Sequence, residues 1–271
     1  MADSRMPDEF YEVVAHHLPP DEPVGPKGGR PTVPNYTVMR VLWYVLTTGC
    51  RWRDVPPEMG CCGETARLRL VLWEEIGVWE RVKVDMLRLL RQAGKLDQHT
   101  AIIDGALVRA HGGGEKTGPS PVDRRKKGSK YTLMVDKKGI PLAIRIAPAN
   151  ASEHTQIIPI LVEQFPEVGG KRGRPPAKPT DVYADAGYDS EATRSILAWL
   201  GMMPHIPKRG RVHGSGLGKV RWVVERAISW VKGLRRLRTR YDRKAEVIEA
   251  WGALAISVIN FRIWNKDITL T

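Results

Sequence analysis

Three carboxylates stand in settings that suit phosphoryl-transfer chemistry. Asp104 closes the apolar run Ala101-Ile102-Ile103, Asp185 closes Val182-Tyr183-Ala184, and Glu225 lies within Arg221-Trp222-Val223-Val224-Glu225-Arg226. Acidic groups at the ends of two strands and on a helix can share two Mg²⁺ ions about 3.5–4 Å apart. Such a pair clamps the attacking and leaving oxygens of a phosphodiester. The chain carries 43 Lys and Arg against 30 Asp and Glu, a formal net charge of +13. That excess is concentrated at 124–130, 171–178, 208–211 and 235–244, which favours a phosphate-rich partner, DNA above all.

Neighbouring acids compete for these roles. Asp136 is followed by Lys137-Lys138-Gly139 and reads as a turn residue, Asp97 and Asp123 lie in loop-like sequence, Asp181 begins a strand, and Asp189 precedes a helix as a cap. Asp104 sits in a run apolar enough for a central strand, where an idle charge is costly. Asp185 is followed by Ala186-Gly187, which leaves backbone room for metal and phosphate.

The segment carrying Glu225 is amphipathic at 100° per residue. Val220, Val224, Ala227, Ile228 and Val231 fall on a stripe that packs on a sheet, while Arg221, Glu225, Lys232 and Arg236 share the adjacent one. That face offers one metal ligand flanked by phosphate holders, Arg221 and Lys232. The plainer alternative is i,i+4 surface pairing, worth about 0.2–0.5 kcal/mol per pair.

These residues must be held by an α/β architecture preceded by a helical region. Residues 1–34 are rich in Pro and Gly and read as an extended arm or a loosely packed start. Helices are predicted from 35 to about Gly49, from Gly63 to Gly77, and over 78–92, making 35–98 a small all-α, helix-turn-helix-like domain. Two readings of it stand together: a DNA-binding motif presenting Arg67 and Arg69, or a plain helical packing domain. Strands are predicted at 101–108, 130–135 and 141–146, a helix at 152–165, a strand at 181–184, a helix at 190–200, a strand at 203–207, and closing helices at 219–237 and 244–264. Residues 99–271 thus form a mixed sheet with helices on its faces.

The order of these motifs resembles the DDE transposases of bacterial insertion sequences, and is most similar to the insertion-sequence-five-like group. Asp104 after a strand, Asp185-Ala186-Gly187-Tyr188-Asp189, and an Arg221, Glu225, Lys232 helix close to the pattern R-(3)-E-(6)-K carry the likeness. So do Thr47-Thr48-Gly49-Cys50-Arg51-Trp52-Arg53-Asp54-Val55-Pro56 and Gly77-Val78-Trp79; the Tyr that often opens the helix pattern is replaced here by Gly218. The resemblance implies an RNase H-like core with Asp104, Asp185 and Glu225 as catalytic metal ligands, two Mg²⁺ ions (Mn²⁺ able to substitute), and cleavage and strand transfer of double-stranded DNA. It also implies recognition of terminal inverted repeats by a homodimer or higher multimer. A cut-only nuclease of the same core and a non-catalytic DNA-binding descendant are the competing readings.

Further DNA contacts are expected outside the acidic triad. Lys171-Arg172-Gly173-Arg174-Pro175-Pro176 contains the Arg-Gly-Arg-Pro core of a minor-groove hook, so Arg172 and Arg174 are candidates, a solvated basic connector being the alternative. Lys130 closes the 124–130 basic run, and Arg235, Arg236, Arg238, Arg240, Arg243 and Lys244 read as one phosphate-tracking patch. His111 and Arg109 follow the first strand and are expected near the same site. The polar, acidic start MADSRMPDEF and an apolar stretch of only 250–259 predict no signal peptide and no membrane span, hence a cytoplasmic protein, which the resemblance implies is bacterial and nucleoid-associated. Cys50, Cys61 and Cys62 form no CxxC pair and read as packing residues.

Overall fold

A computed structural model describes residues 5–22, 28, 29, 31–169, 178–208 and 218–266, with Gly218 and Lys219 as backbone only. The N-terminal third is helical: α1 (Asp8–Ala15), α2 (Asn35–Thr48), α3 (Gly63–Glu75) and α4 (Val78–Gln92). Then follow β1 (Thr100–Arg109), β2 (Gly118–Pro119), β3 (Lys127–Val135), β4 (Pro141–Pro148), α5 (His154–Glu163), β5 (Asp181–Tyr183), α6 (Glu191–Trp199) and β6 (Met203–His205). Three helices close the chain: α7 (Gly218–Gly233), α8 (Arg235–Arg238) and α9 (Ala245–Asn265).

Glycines set the helix boundaries in the N-terminal region. Gly49 ends α2 in the left-handed conformation at φ 72°, and Gly77 separates α3 from α4 at the same φ, a geometry that strains any residue with a β-carbon. α1 corrects the expectation of an extended arm. Phe10 and Val14, one turn apart, are buried, and the acidic Asp8 and Glu9 occupy the first turn, where they complement the helix dipole. The α2–α3 connection covers 49–62 and contains two 3₁₀ turns, far longer than the three or four residues of a helix-turn-helix.

β1, β3 and β4 form an antiparallel meander, with Asp104 opposite Leu133 and Leu133 opposite Ile144. Its turn is locked by Asp136, a fully buried carboxylate that accepts the N–H groups of Asp97, Lys138 and Ile140 at 2.8–2.9 Å. β5 adds parallel to β1 on the other side, and β6 parallel to β5. The order β4-β3-β1-β5-β6, with β2 on the outer side of β3, is the RNase H-like mixed sheet expected above.

Side-chain alternation divides the core between the two sheet faces. Ala101, Ile103, Met134 and Val182 pack with α5 and α6; Ile102, Val108, Leu133 and Ile146 pack with α7 and α9. α9 also buries Trp251, Leu254 and Phe261 among residues of α1–α4, so the helical region and the sheet share one hydrophobic cluster. α9 is long and apolar enough to cross a bilayer by length and composition, but most of it is buried in the fold, as a core helix.

A cavity of about 130 Å³ lies where α3, α4, β4 and α9 meet, lined by Glu74, Glu80, Lys83, Gln164 and Glu249 among others. Burial, reinforced by Glu249 and Glu80, pushes the Glu74 carboxyl from its usual 4.5 up to about 7, with Lys83 pulling the other way. Folding therefore favours protonated Glu74. That stabilisation is whole below about pH 4.5 and is lost as pH rises through about 7. Glu74→Gln is expected to stabilise the protein at pH 8 by on the order of 2–3 kcal/mol and to change it little at pH 4.5. Urea melts at the two pH values check this; equal effects at both would assign the gain to something other than the carboxylate.

Candidate active site

Strand register brings the first two carboxylates together. Ile102 pairs with Tyr183 across parallel β1 and β5. Two residues further along each strand direction stand Asp104 and Asp185, on the sheet face that α7 covers. β1 does not stop at Asp104 but continues to Arg109, because Gly105-Ala106-Leu107-Val108 keeps the ladder to β3. Asp185 lies past the end of β5, where its Oδ1 accepts the Gly187 N–H at 2.8 Å and caps a 3₁₀ turn over Ala186–Tyr188.

Arg221 of α7 joins the pair. Its Nη2 donates to Asp104 Oδ2 at 3.0 Å and lies 3.9 Å from Asp185 Oδ2. Burial pushes the Asp104 carboxyl above its usual range; the Arg221 bond and the Gly105 N–H pull it down, and the Asp185 charge pushes it up. For Arg221 itself burial opposes the charge, but the bond to Asp104 and the fields of Asp104, Asp185 and Glu225 outweigh it, and its pKa rises. Arg221 is thus a counter-ion inside the acidic site.

Glu225 is exposed on α7 one turn beyond Arg221, and no group of three or more metal-ligating side chains is assembled among the described residues. The geometry joins Asp104 to Asp185 and leaves Glu225 on the neighbouring helix face. Competing acids are engaged elsewhere: Asp181 with His205 at 2.7 Å, Asp189 with Arg194 at 2.8 Å, and Asp136 in its turn.

Two residues that sequence reasoning did not place border the site. Tyr188 is fully buried, with its hydroxyl 3.2 Å from where a β-carbon of Gly105 would stand. Burial, then Asp104, Glu153 and Asp185, push its phenol upward. Glu153 lies just before α5, and its Oε2 would meet a β-carbon on Gly187 at 1.8 Å. The backbone room noted at Gly187 is therefore taken by the Glu153 carboxylate. The only signal in the chain was the glycine.

The basic candidates separate sharply. Lys130 is buried, with Nζ donating to Ala151 O at 2.7 Å and 3.4 Å from Glu153 Oε1. Lys232 is half-buried over the sheet beside Ala106, Tyr131 and Leu133. Arg67 donates twice to Glu64, at 2.9 and 2.6 Å, and Arg69 binds Asn35 Oδ1 at 3.0 Å. Arg236 and Arg240 leave the supposed surface patch, being 2% and 1% exposed. Arg236 chelates Asp242 at 2.9 and 2.7 Å, and Arg240 binds Asp242 O, Ser129 Oγ and Lys116 O; α7 ends at Gly233, which turns these arginines inward. Arg235, Arg238, Arg243 and Lys244 remain exposed. His111 stacks on Tyr241 at 5.5 Å, seven residues past Asp104 and about 23 Å along an extended strand, which removes it from the acidic site. Arg172 and Arg174 lie outside the described residues. Cys62 is exposed, contrary to its expected packing role.

The sheet order and the paired aspartates, one inside β1 and one just past β5, define an RNase H-like α/β protein with an acidic site under a covering helix. The family described as "Transposase DDE domain" matches residues 95–260, more than half of the chain, and "Putative transposase of IS4/5 family" matches residues 6–83. The chain belongs to the DDE transposase family. It is 46% identical over 153 residues to a putative transposase for insertion sequence element IS402 of Burkholderia cepacia, covering 56% of this chain and 71% of that relative. It is 40% identical over 123 residues to an uncharacterized 16.2 kDa protein of the same element and organism, covering 45% of this chain and 84% of that relative. Among solved structures, a Mos1 mariner paired-end complex with Mn aligns with TM-score 0.33 and 12% identity, over 96% of this chain and 85% of that chain.

Proposed function

We propose that this transposase binds the terminal inverted repeats of its insertion sequence as a dimer or higher multimer, then cuts the DNA and joins it to a target with divalent metal, most simply Mg²⁺. The observation that carries the reading is the convergence of Asp104 and Asp185 on one cationic group, the Arg221 guanidinium. Their hard oxygen donors fit Mg²⁺, which needs only one or two carboxylates and completes its shell with water and phosphate. When bound, such ions supply charge stabilisation to the attacking and leaving oxygens.

The chain's own residues do the rest. Asp104, nearly buried at the centre of the sheet, fixes the acidic site on a rigid strand, and Asp185 is oriented by the Gly187 N–H. Arg221 neutralises the pair before substrate arrives and then turns to a phosphate oxygen as a charge-assisted donor. Glu225, one helical turn away, is the third ligand that the family pattern implies. No covalent protein–DNA intermediate is required.

The test is incubation with Mg²⁺ and labelled DNA carrying the element's ends, beside a Glu225→Gln variant. End cleavage plus joined product, both lost in the variant, is the expected result. Tight binding without cleavage under varied metal would overturn catalysis. Cleavage without joining would reduce the protein to a nuclease. Arg235, Arg238, Arg243 and Lys244 as phosphate contacts predict a log–log salt slope of roughly −3.6, where the six-residue patch would give about −5. A filter-binding salt titration measures it, and a slope nearer −1 would remove the patch from the interface.

A further inference from the structure

We propose that the loop between β2 and β3 is a second DNA contact, which holds the phosphate backbone of the terminal repeat about seven base pairs from the acidic site. The inference rests on the end-binding reading above. Arg124, Arg125, Lys126 and Lys127 are four successive exposed cations, and none meets a carboxylate among the described residues. Lys116, Lys130, Arg145 and Arg221 of the same α/β region each have one. The acids of the segment are the half-buried Asp123 and Glu115, which accepts the Ala245 N–H at 2.7 Å. An unbroken run of like charge repels itself, and an external polyanion laid across it removes that cost.

The backbone holds this presentation under strain. Arg124 and Arg125 both stand in the left-handed region, at φ 46° and 58°. A residue with a β-carbon visits that region at a cost, and two in succession are rare. The conformation persists because the loop is closed on itself. Ser120 N–H donates to Lys126 O at 2.8 Å, Arg125 N–H to Ser120 O at 3.1 Å, and Lys126 N–H to Asp123 O at 2.8 Å. Strain kept in an exposed loop serves no core, and such outliers gather at ligand contacts.

The position of the loop fits a duplex that starts at the acidic site. Lys127 opens β3 at the far end of β1, where its carbonyl accepts the Ala110 N–H at 2.9 Å. Its Cδ lies 2.9 Å from where a β-carbon of Gly113 would stand, and Arg243 Cγ lies 3.5 Å from that of Gly112. Gly112 and Gly114 are exposed, so bare backbone between the two cations lets a phosphate chain come close. Beside it the exposed His111 ring stacks on the half-exposed Tyr241. α7 passes Asp104 at Arg221, and the chain beyond α8 returns to the end of β1, where His111 N–H donates to Arg240 O at 3.1 Å. The exposed Arg235 and Arg238 lie on that stretch. Asp104 and His111 are about 23 Å apart along the strand. That is the length of about seven base pairs.

The experiment is hydroxyl-radical footprinting and a salt titration of binding on labelled duplex carrying the element's end, with the full chain and an Arg124→Gly, Arg125→Gly double variant. Glycine relieves the left-handed backbone, so the variant is expected to melt with the wild type. It is expected to lose protection about seven base pairs from the cleavage point and to keep protection at that point. Its log–log salt slope is expected to be shallower than that of the wild type by about 1.8, two phosphate contacts at 0.9 each. Arg124→Lys with Arg125→Lys keeps both charges and is expected to keep the wild-type slope. Wild-type protection and slope in the glycine variant would overturn the proposal and leave the run a solvated loop. Protection lost on target DNA but kept on the repeat would overturn it as well. A wild-type chain that protects no part of the element's end would overturn the end-binding reading itself.

Discussion

Asp104→Asn is expected to slow end cleavage by about three orders of magnitude, a loss of about 4 kcal/mol of transition-state stabilisation, with little change in melting. The substitution keeps the shape of a side chain set in the central strand and removes a charge whose burial already pushes its pKa upward. Arg221 keeps Asp185 within 3.9 Å and remains in the field of Glu225, so its charge is not stranded. Chemistry and stability therefore separate in this variant. Asp185→Asn is expected to behave alike, with Asn still able to accept the Gly187 N–H. Single-turnover cleavage beside thermal melts checks both. A rate within tenfold of wild type would remove Asp104 from the reaction, and a collapsed melt would make the variant a folding mutant.

Asp242→Ala is expected to have the largest effect on stability, about 3–5 kcal/mol, because it leaves a buried guanidinium without its counter-charge. Asp242 receives two bonds from Arg236 and one from Trp52 Nε1 at 3.0 Å. Arg236 also donates to Cys50 O at 2.8 Å and lies 5.1 Å from the centre of the Trp52 ring, which stacks on Trp251 at 5.3 Å. One carboxylate thus ties the loop after α2 to α8 and α9. Replacing Arg236 and Asp242 together by apolar residues of similar volume is expected to recover most of the loss, since the desolvation cost of both charges disappears. Equilibrium denaturation of the single and double variants decides it; a cost below about 1 kcal/mol for Asp242→Ala would make the pair incidental.

Local signals carried much of the fold. Gly49 and Gly77 marked helix ends that the left-handed backbone confirms, and Asp136-Lys137-Lys138-Gly139 marked a turn that closes β3 onto β4. α1 escaped because the prolines and glycines surrounding it outweighed a single apolar pair, Phe10 and Val14, whose burial depends on α2 and α9. Of the two readings of the helical region, the α2–α3 connection favours plain packing by a length that helix periodicity does not measure, the stretch from 49 to 62. Within the site, Asp104 and Asp185 were legible because a carboxylate at a strand in an apolar run is costly unless it has a task.

What the amino-acid sequence determined by itself is most of the elements, the placing of Asp104 in one strand and Asp185 just past another, and the total of the charge. What only the tertiary structure decided is which charges are inside. Arg236 and Arg240 look like Arg235 and Arg238 along the chain, yet two are sealed against Asp242 and Ser129 and two face solvent. Glu153 carried no local mark of its own, yet packing sets its carboxylate against Gly187, more than thirty residues away. The reason is physical. Backbone periodicity is a short-range property written into neighbouring residues, whereas the environment of a charge is set by long-range packing, which brings together groups that the chain keeps far apart.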